Sequence, residues 1–250
     1  LAKIQLLHTQ AIPFENIDPF LGLPVLLDLP SLEDKLVKRK RGGYCFEQNL
    51  LLKHVLEKIG FKVAGVAGRV LWQKPPNASA PATHMLLRVD IDEQTFIIDA
   101  GFGGQVLTGP LMLEPDIIQM TPHEPFRLQR IPDGFILESE IRGHWQPIYS
   151  FDLSERLTSD FDILNYYLST APQSPFVSSL MIARPETGQR WTLSSLAFRQ
   201  QQFQDADPGN SIATLAKHSL SGETDRREIV TPKDLIQVLN DIFNITLDDP

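Results

Sequence analysis

Arg41-Gly42-Gly43-Tyr44-Cys45-Phe46-Glu47 sets the one cysteine of this 250-residue chain where a turn becomes a helix. Gly42 and Gly43 can take backbone angles closed to other residues, which predicts a sharp bend just before Cys45. Downstream, Leu52, Val55, Leu56 and Ile59 recur at helical spacing and Gly60 is a stop signal. The spacing therefore predicts a helix from Cys45 to about Ile59. Its unpaired N-terminal amides and the positive end of its dipole favour a thiolate over a thiol. A lone cysteine is more often a buried structural residue. The functional reading therefore needs partners for this one.

A catalytic thiol requires a base and a third group that orients the base. His54 lies on the same predicted helix, but about two and a half turns on it faces the other way, about 13 Å along the axis. His8, His123, His144 and His218 have no neighbouring feature that singles them out. His84 does. In 84–91 the alternation places His84, Leu86, Arg88 and Asp90 on one face and Met85, Leu87, Val89 and Ile91 on the other. In 94–100, Thr95, Ile97 and Asp99 share one face. The short gap between the runs predicts a hairpin. Pairing Asp90 with Glu93 sets His84 directly opposite Asp99, with Cβ atoms about 4.5–5.5 Å apart. A register change of two residues keeps them on one face; a slip of one separates them.

Taken singly, a strand-end His reads as a satisfied polar residue and Asp before Ala-Gly as a turn former. Taken together with Cys45 they make a triad. His84 withdraws the thiol proton, and Asp99 fixes the imidazole tautomer and stabilises its cation. The resulting thiolate can attack an acyl carbon.

Asp99-Ala100-Gly101-Phe102-Gly103-Gly104 fails the G-x-G-x-x-G spacing and has no Walker lysine. Its glycines would let a substrate approach the backbone, with Phe102 as an apolar wall; a tight turn leaving a strand is the plain alternative. Neither H-E-x-x-H nor a Cys/His cluster is present, so no metal is expected.

With 42% hydrophobic and 22% charged residues the chain reads as globular. Its net charge of −8 and the lack of a broad basic stripe disfavour nucleic acid as a partner. Lys38-Arg39-Lys40-Arg41 reads as a solvated helix end. No apolar run approaches the ~20 residues that span a bilayer, and nothing resembles a secretory signal. The single cysteine fits a reducing cytoplasm, so a cytoplasmic protein without a membrane partner is expected. Asn77-Ala78-Ser79 and Asn244-Ile245-Thr246 then read as chance matches to the glycosylation pattern. The chain opens without methionine and already in an apolar-periodic stretch, which suggests a fragment lacking its natural start.

Residues 1–60 read mostly helical, with Ser31 as an N-cap and Asp34 as its acidic third position. From Phe61 onward, short β-like runs at 61–71, 84–91, 94–100 and 134–151 predict a small antiparallel barrel or sandwich. A helix-like stretch near 158–169 follows. A mixed region from about 177 ends in a helix, 234–243, placed behind Thr231-Pro232.

These motifs resemble the arylamine N-acetyltransferase family, particularly its bacterial members. The resemblance runs through Ile12-Pro13-Phe14-Glu15-Asn16 and Arg41 to Asn49, then Thr83-His84-Met85-Leu86-Leu87 and Asp99 to Gly104. It continues from Asn165-Tyr166-Tyr167-Leu168 to Ser174-Pro175-Phe176. Generic cysteine hydrolases share the triad but not this set. The resemblance implies an α+β fold with an N-terminal helical bundle (1–60), a central antiparallel β-barrel (61–155), a connecting helix and loop (156–176) and a C-terminal α/β lid (177–250). The triad, of cysteine-protease type, would sit where bundle and barrel meet.

It also implies ping-pong acyl transfer: Cys45 takes acetyl from acetyl-CoA, and an aromatic amine or hydrazine attacks the thioester. Acetyl-CoA would be a co-substrate, with no permanently bound cofactor. By position, Phe14, Thr83 and Phe102 would border the acceptor pocket, and Gly103, Gly104 and Tyr167 the CoA path. Against the family's usual N-terminal helical lead this sequence starts late, and it singles out no anion cradle for CoA. Three alternatives remain open at this level. One is an amide synthase of the same family, closing polyketide macrocycles. Another is a Cys-His-Asp hydrolase or transglutaminase-like enzyme, and the last is a non-enzymatic binding module.

Overall fold

The computed structural model describes residues 1–75, 79–195 and 211–247 of an α+β chain. Helix α1 (Ala2–Ala11) leads into a two-residue strand, β1 (Phe14–Glu15), and a single helical turn, α2 (Ile17–Phe20). Helix α3 (Leu29–Leu32) runs on as a π-helical stretch, Glu33–Lys38, and α4 spans Cys45–Lys58. Ser31 is not the cap: Asp28 Oδ1 accepts from Ser31 N at 3.1 Å, and Pro30 fills an early position that needs no N–H.

The bend before Cys45 has a different origin from the one expected. The left-handed residue is Lys40 (φ 53°), while Gly42 and Gly43 both have negative φ. Glycine serves close approach instead: a Cβ on Gly42 would lie 2.2 Å from the Pro13 carbonyl oxygen. At its far end α4 stops as expected, with Gly60 at φ 97°.

The barrel comprises β2 (Lys62–Val70), β3 (His84–Ile91), β4 (Gln94–Ile98), β5 (Leu111–Met112), β6 (Gln119–Met120), β7 (Pro125–Ile131), β8 (Gly134–Ile141) and β9 (His144–Arg156). Their spatial order is β5-β4-β3-β2-β9-β8-β7-β6, with neighbouring strands antiparallel. The two ends of this sheet meet through a side chain. Gln119 on β6 accepts from Met112 N and donates to Met112 O on β5, each at 2.8 Å, so its amide imitates a strand pairing. The run expected at 134–151 is two strands. Arg142 and Gly143, both at positive φ, break it into a hairpin.

The β3–β4 hairpin holds the sharpest correction. Asp90 pairs with Thr95 and Ile91 with Gln94, a two-residue shift from the expected register. Asp92 takes φ 51° at the turn, which Asp tolerates. The expected register would have made β-branched Ile91 a turn residue beside Asp92, and Ile91 resists positive φ. His84 and Asp99 remain on one face but stand diagonally. That face of β3 turns into the barrel, where Leu86 joins Val66, Ile97, Phe126 and Tyr149. Met85, Leu87 and Val89 project the other way and pack with Leu52 and Leu56 of α4. Each fully buried Leu contributes roughly 1.5–3 kcal/mol.

Helices α5 (Thr158–Thr170) and α6 (Pro175–Ser178) connect to a second sheet. It contains β10 (Met181–Glu186), β11 (Gln189–Ser194), β12 (Ala213–Ser219) and β13 (Thr224–Ile229), in the order β1-β10-β11-β12-β13. Helix α7 (Pro232–Phe243) is capped by Thr231, whose side chain accepts from Asp234 N at 3.1 Å. Leu235, Val238 and Phe243 pack with Ile182 and Leu193 of the sheet and with Ile17 and Phe20 of α2. The N-terminal segment is thereby part of the C-terminal layer. Asn77 and Ala78 lie outside the described residues. Among the described residues no helix is long and apolar enough to cross a membrane.

Candidate active site

Cys45 is the first residue of α4 and is buried against the loop that leaves β4. The contact leaves no room for a side chain: a Cβ on Gly101 would lie 2.5 Å from Cys45 Cα. Gln48 steadies the approach to the helix. Its Nε2 reaches the carbonyls of Pro13 at 2.8 Å and Gly43 at 3.2 Å, while His8 Nε2 meets its Oε1 at 2.7 Å.

His84, at the start of β3, places Nε2 2.7 Å from Asp99 Oδ2. A carboxylate only accepts, so Nε2 carries the proton of this bond. Asp99 is fully buried, and its Oδ1 accepts from Gly101 N at 2.8 Å and Asn49 Nδ2 at 3.0 Å. The imidazole packs edge-on to Phe102 (5.2 Å between centroids) and tilted on Tyr149 (4.9 Å). Burial alone would lower the pKa of His84. The charge and hydrogen bond of Asp99, then those of Cys45, outweigh it and raise the value from 6.5 to about 10. Burial likewise pushes Asp99 up, yet the His84 cation and the converging donors hold it below its ordinary range. The arrangement can therefore keep an imidazolium beside Cys45 at neutral pH.

A cavity of about 690 Å³ opens on this group. Phe14, Thr83, Phe102, Gly103, Gly104 and Tyr167 all line it together with Cys45 and His84, while Asp99 stays behind the imidazole. A Cβ on Gly103 would come 3.3 Å from the Phe14 ring, and one on Gly104 3.2 Å from Thr192 Cγ2. Trp72 and Lys74 also line the cavity, and Lys74 is exposed.

Beside the first turn of α4 lies a buried group of charges. Lys35 Nζ is 2.7 Å from Glu47 Oε1 and 2.5 Å from Asp18 Oδ2, and Arg41 Nη2 is 2.7 Å from Glu15 Oε1. Arg41 is thus no part of a solvated helix end, unlike the exposed Lys38, Arg39 and Lys40 before it. Glu47 also accepts from Tyr44 N at 2.9 Å, which ties this group to the helix start. Burial raises Glu47 to about 7 against the pull of Lys35.

Sequence reasoning missed Asn49 and Tyr149. Asn49 stands one helical turn after Cys45, so the i, i+4 rule could have placed it on the same face. Tyr149 left no local signal, because β2 and β9 meet only through the barrel.

A family model described as N-acetyltransferase matches residues 1–250. The arylamine N-acetyltransferase of Mycolicibacterium smegmatis is 45% identical over 190 residues, covering 74% of this chain and 69% of that relative. The solved arylamine N-acetyltransferase of M. tuberculosis aligns over 98% of this chain and 84% of its own, with TM-score 0.87 and 38% identity. That of Mycobacterium marinum, solved in complex with CoA, aligns over 97% and 84%, with TM-score 0.86 and 37% identity. With sequence likeness and fold agreeing along its length, this chain belongs to the arylamine N-acetyltransferase family.

Proposed function

We propose that the chain moves an acetyl group from acetyl-CoA to an aromatic amine or hydrazine in two half-reactions that share Cys45, with His84 as base and Asp99 as its orienting group. The observation that carries this reading is the 2.7 Å His84–Asp99 contact behind a cavity that Cys45 and His84 both line.

In the first half-reaction the Cys45 thiolate attacks the acetyl carbonyl carbon of acetyl-CoA. A new C–S bond forms to Cys45, the C–S bond to CoA breaks, and the departing thiolate takes the His84 proton. In the second, the amine nitrogen attacks the Cys45 thioester. Its proton passes to His84, the C–S bond breaks, and the thiolate–imidazolium pair returns with the N-acetyl product. Asp99 stabilises the imidazolium throughout and does not itself take the proton. Phe14, Phe102 and Thr83 border the acceptor, while Gly103, Gly104 and Tyr167 border the donor. A reducing cytoplasm keeps the single thiol available for this chemistry.

Initial rates measured against both substrates test the shared intermediate. Parallel double-reciprocal lines are expected, since CoA leaves before the amine enters. Intersecting lines would mean direct transfer within a ternary complex and would rule out the two-step route.

A further inference from the structure

Outside the triad, polar ties join the C-terminal sheet to the barrel at the edge of the cavity. Arg190 on β11 is buried. Its Nε donates to Glu124 Oε1 at 2.8 Å and Oε2 at 3.0 Å, and its Nη2 donates to the same carboxylate. Nη2 also donates to the Val106 carbonyl at 3.0 Å, and Val106 N donates to the Gly103 carbonyl at 3.1 Å. A chain of hydrogen bonds therefore runs from β11 to the glycine wall beside Cys45. Two residues along the same face of β11, Thr192 closes on Gly104. Beside Glu124, His123 Nε2 donates to the Glu186 carbonyl of β10 at 2.8 Å.

A buried ion pair is a weak source of stability, because desolvation offsets much of its attraction. What a planar guanidinium adds is fixed geometry, through several N–H bonds at set angles. We infer that Arg190 is a positioning residue that, with Glu124, clasps the 101–107 loop to β11 and sets the passage through which the acyl donor reaches Cys45. The inference rests on the donor route proposed above.

Hydrogen exchange and steady-state kinetics on the full chain test it. In Arg190→Met the backbone amides of 101–107 exchange about tenfold faster or more, because their tether is gone. KM for acetyl-CoA rises by about tenfold while kcat changes less than about threefold, the pattern of lost binding without lost chemistry. Arg190→Lys keeps the charge but not the fork, so it leaves exchange fast. Glu124→Gln keeps the shape and decides the matter if Arg190→Met does not fold. Unchanged exchange in whichever variant folds overturns the clasp, and so does a fall in kcat with KM unmoved. The exchange result stands apart from activity. If the parent chain fails to take acetyl from acetyl-CoA, that failure counts against the donor reading and not against the tether.

Discussion

Asn49 Nδ2 lies 3.0 Å from Asp99 Oδ1, so the helix that begins with Cys45 also holds the carboxylate that orients His84. The same nitrogen donates to Met85 O at 2.8 Å, and Asn49 Oδ1 accepts from Ala100 N at 3.0 Å. One turn of α4 thus ties the nucleophile to β3 and to the loop that leaves β4. Substituting Asn49→Ala removes these three hydrogen bonds from buried groups. A stability loss of about 1–3 kcal/mol is expected by urea unfolding. A fall in kcat of about tenfold or more should accompany it, from the loosened geometry.

Asp99→Asn keeps the shape of the site and removes its charge. A drop in kcat on the order of 10³–10⁴ is expected, as the imidazole loses its orienting partner. The pH behaviour follows from the same pair. His84 has a folded value of about 10 against an ordinary 6.5. Its contribution to stability is fully present below pH 6.5 and is lost as pH rises through about 10. Asp99 is depressed, so its contribution is present above 3.8 and is lost as pH falls through its folded value. NMR titration of the His84 ring checks this. The ring should remain protonated through neutral pH in the parent and titrate far lower in Asp99→Asn.

Gly101→Ala drives a methyl group to 2.5 Å from Cys45 Cα and 2.9 Å from Asn49 Nδ2. Neither atom belongs to a flexible side-chain end that can swing away freely. Overpacking of about 1–3 kcal/mol is expected in thermal unfolding. Alkylation of Cys45 by iodoacetamide should slow in parallel; an unchanged rate would show that the loop moves aside.

Lys35→Met leaves Glu15 and Asp18 paired with Arg41, while Glu47 loses its cation and keeps the Tyr44 N–H. Removing one member of a buried ion group costs about 3–5 kcal/mol. Denaturant unfolding at neutral pH measures the loss. Glu47, already raised to about 7, should then take up its proton at still higher pH.

Much of this was legible in the sequence, for physical reasons that differ by residue. The helix behind Cys45 was visible because its apolar spacing and Gly60 are local signals. The sharing of one face by His84 and Asp99 was visible because alternation survives a two-residue register change. The register itself was not, since it hinged on which residue would accept positive φ, and Asp92 rather than Ile91 does. The two-residue β1 is too short to leave a pattern and exists through its pairing with β10. Arg41 was misread because three exposed cations precede it, and only the fold brings Glu15 and Asp18 to it. Arg190 and Glu124, distant in sequence, carried no signal of their meeting.

The most direct test is the intact mass of the folded chain after mixing with acetyl-CoA in the absence of acceptor. The expected result is one added acetyl group, mapped by peptide analysis to Cys45, absent in Cys45→Ala and discharged by an aromatic amine with an equal amount of N-acetyl product. A folded chain that gains no acetyl group, or gains it on a residue other than Cys45, would contradict the proposed chemistry.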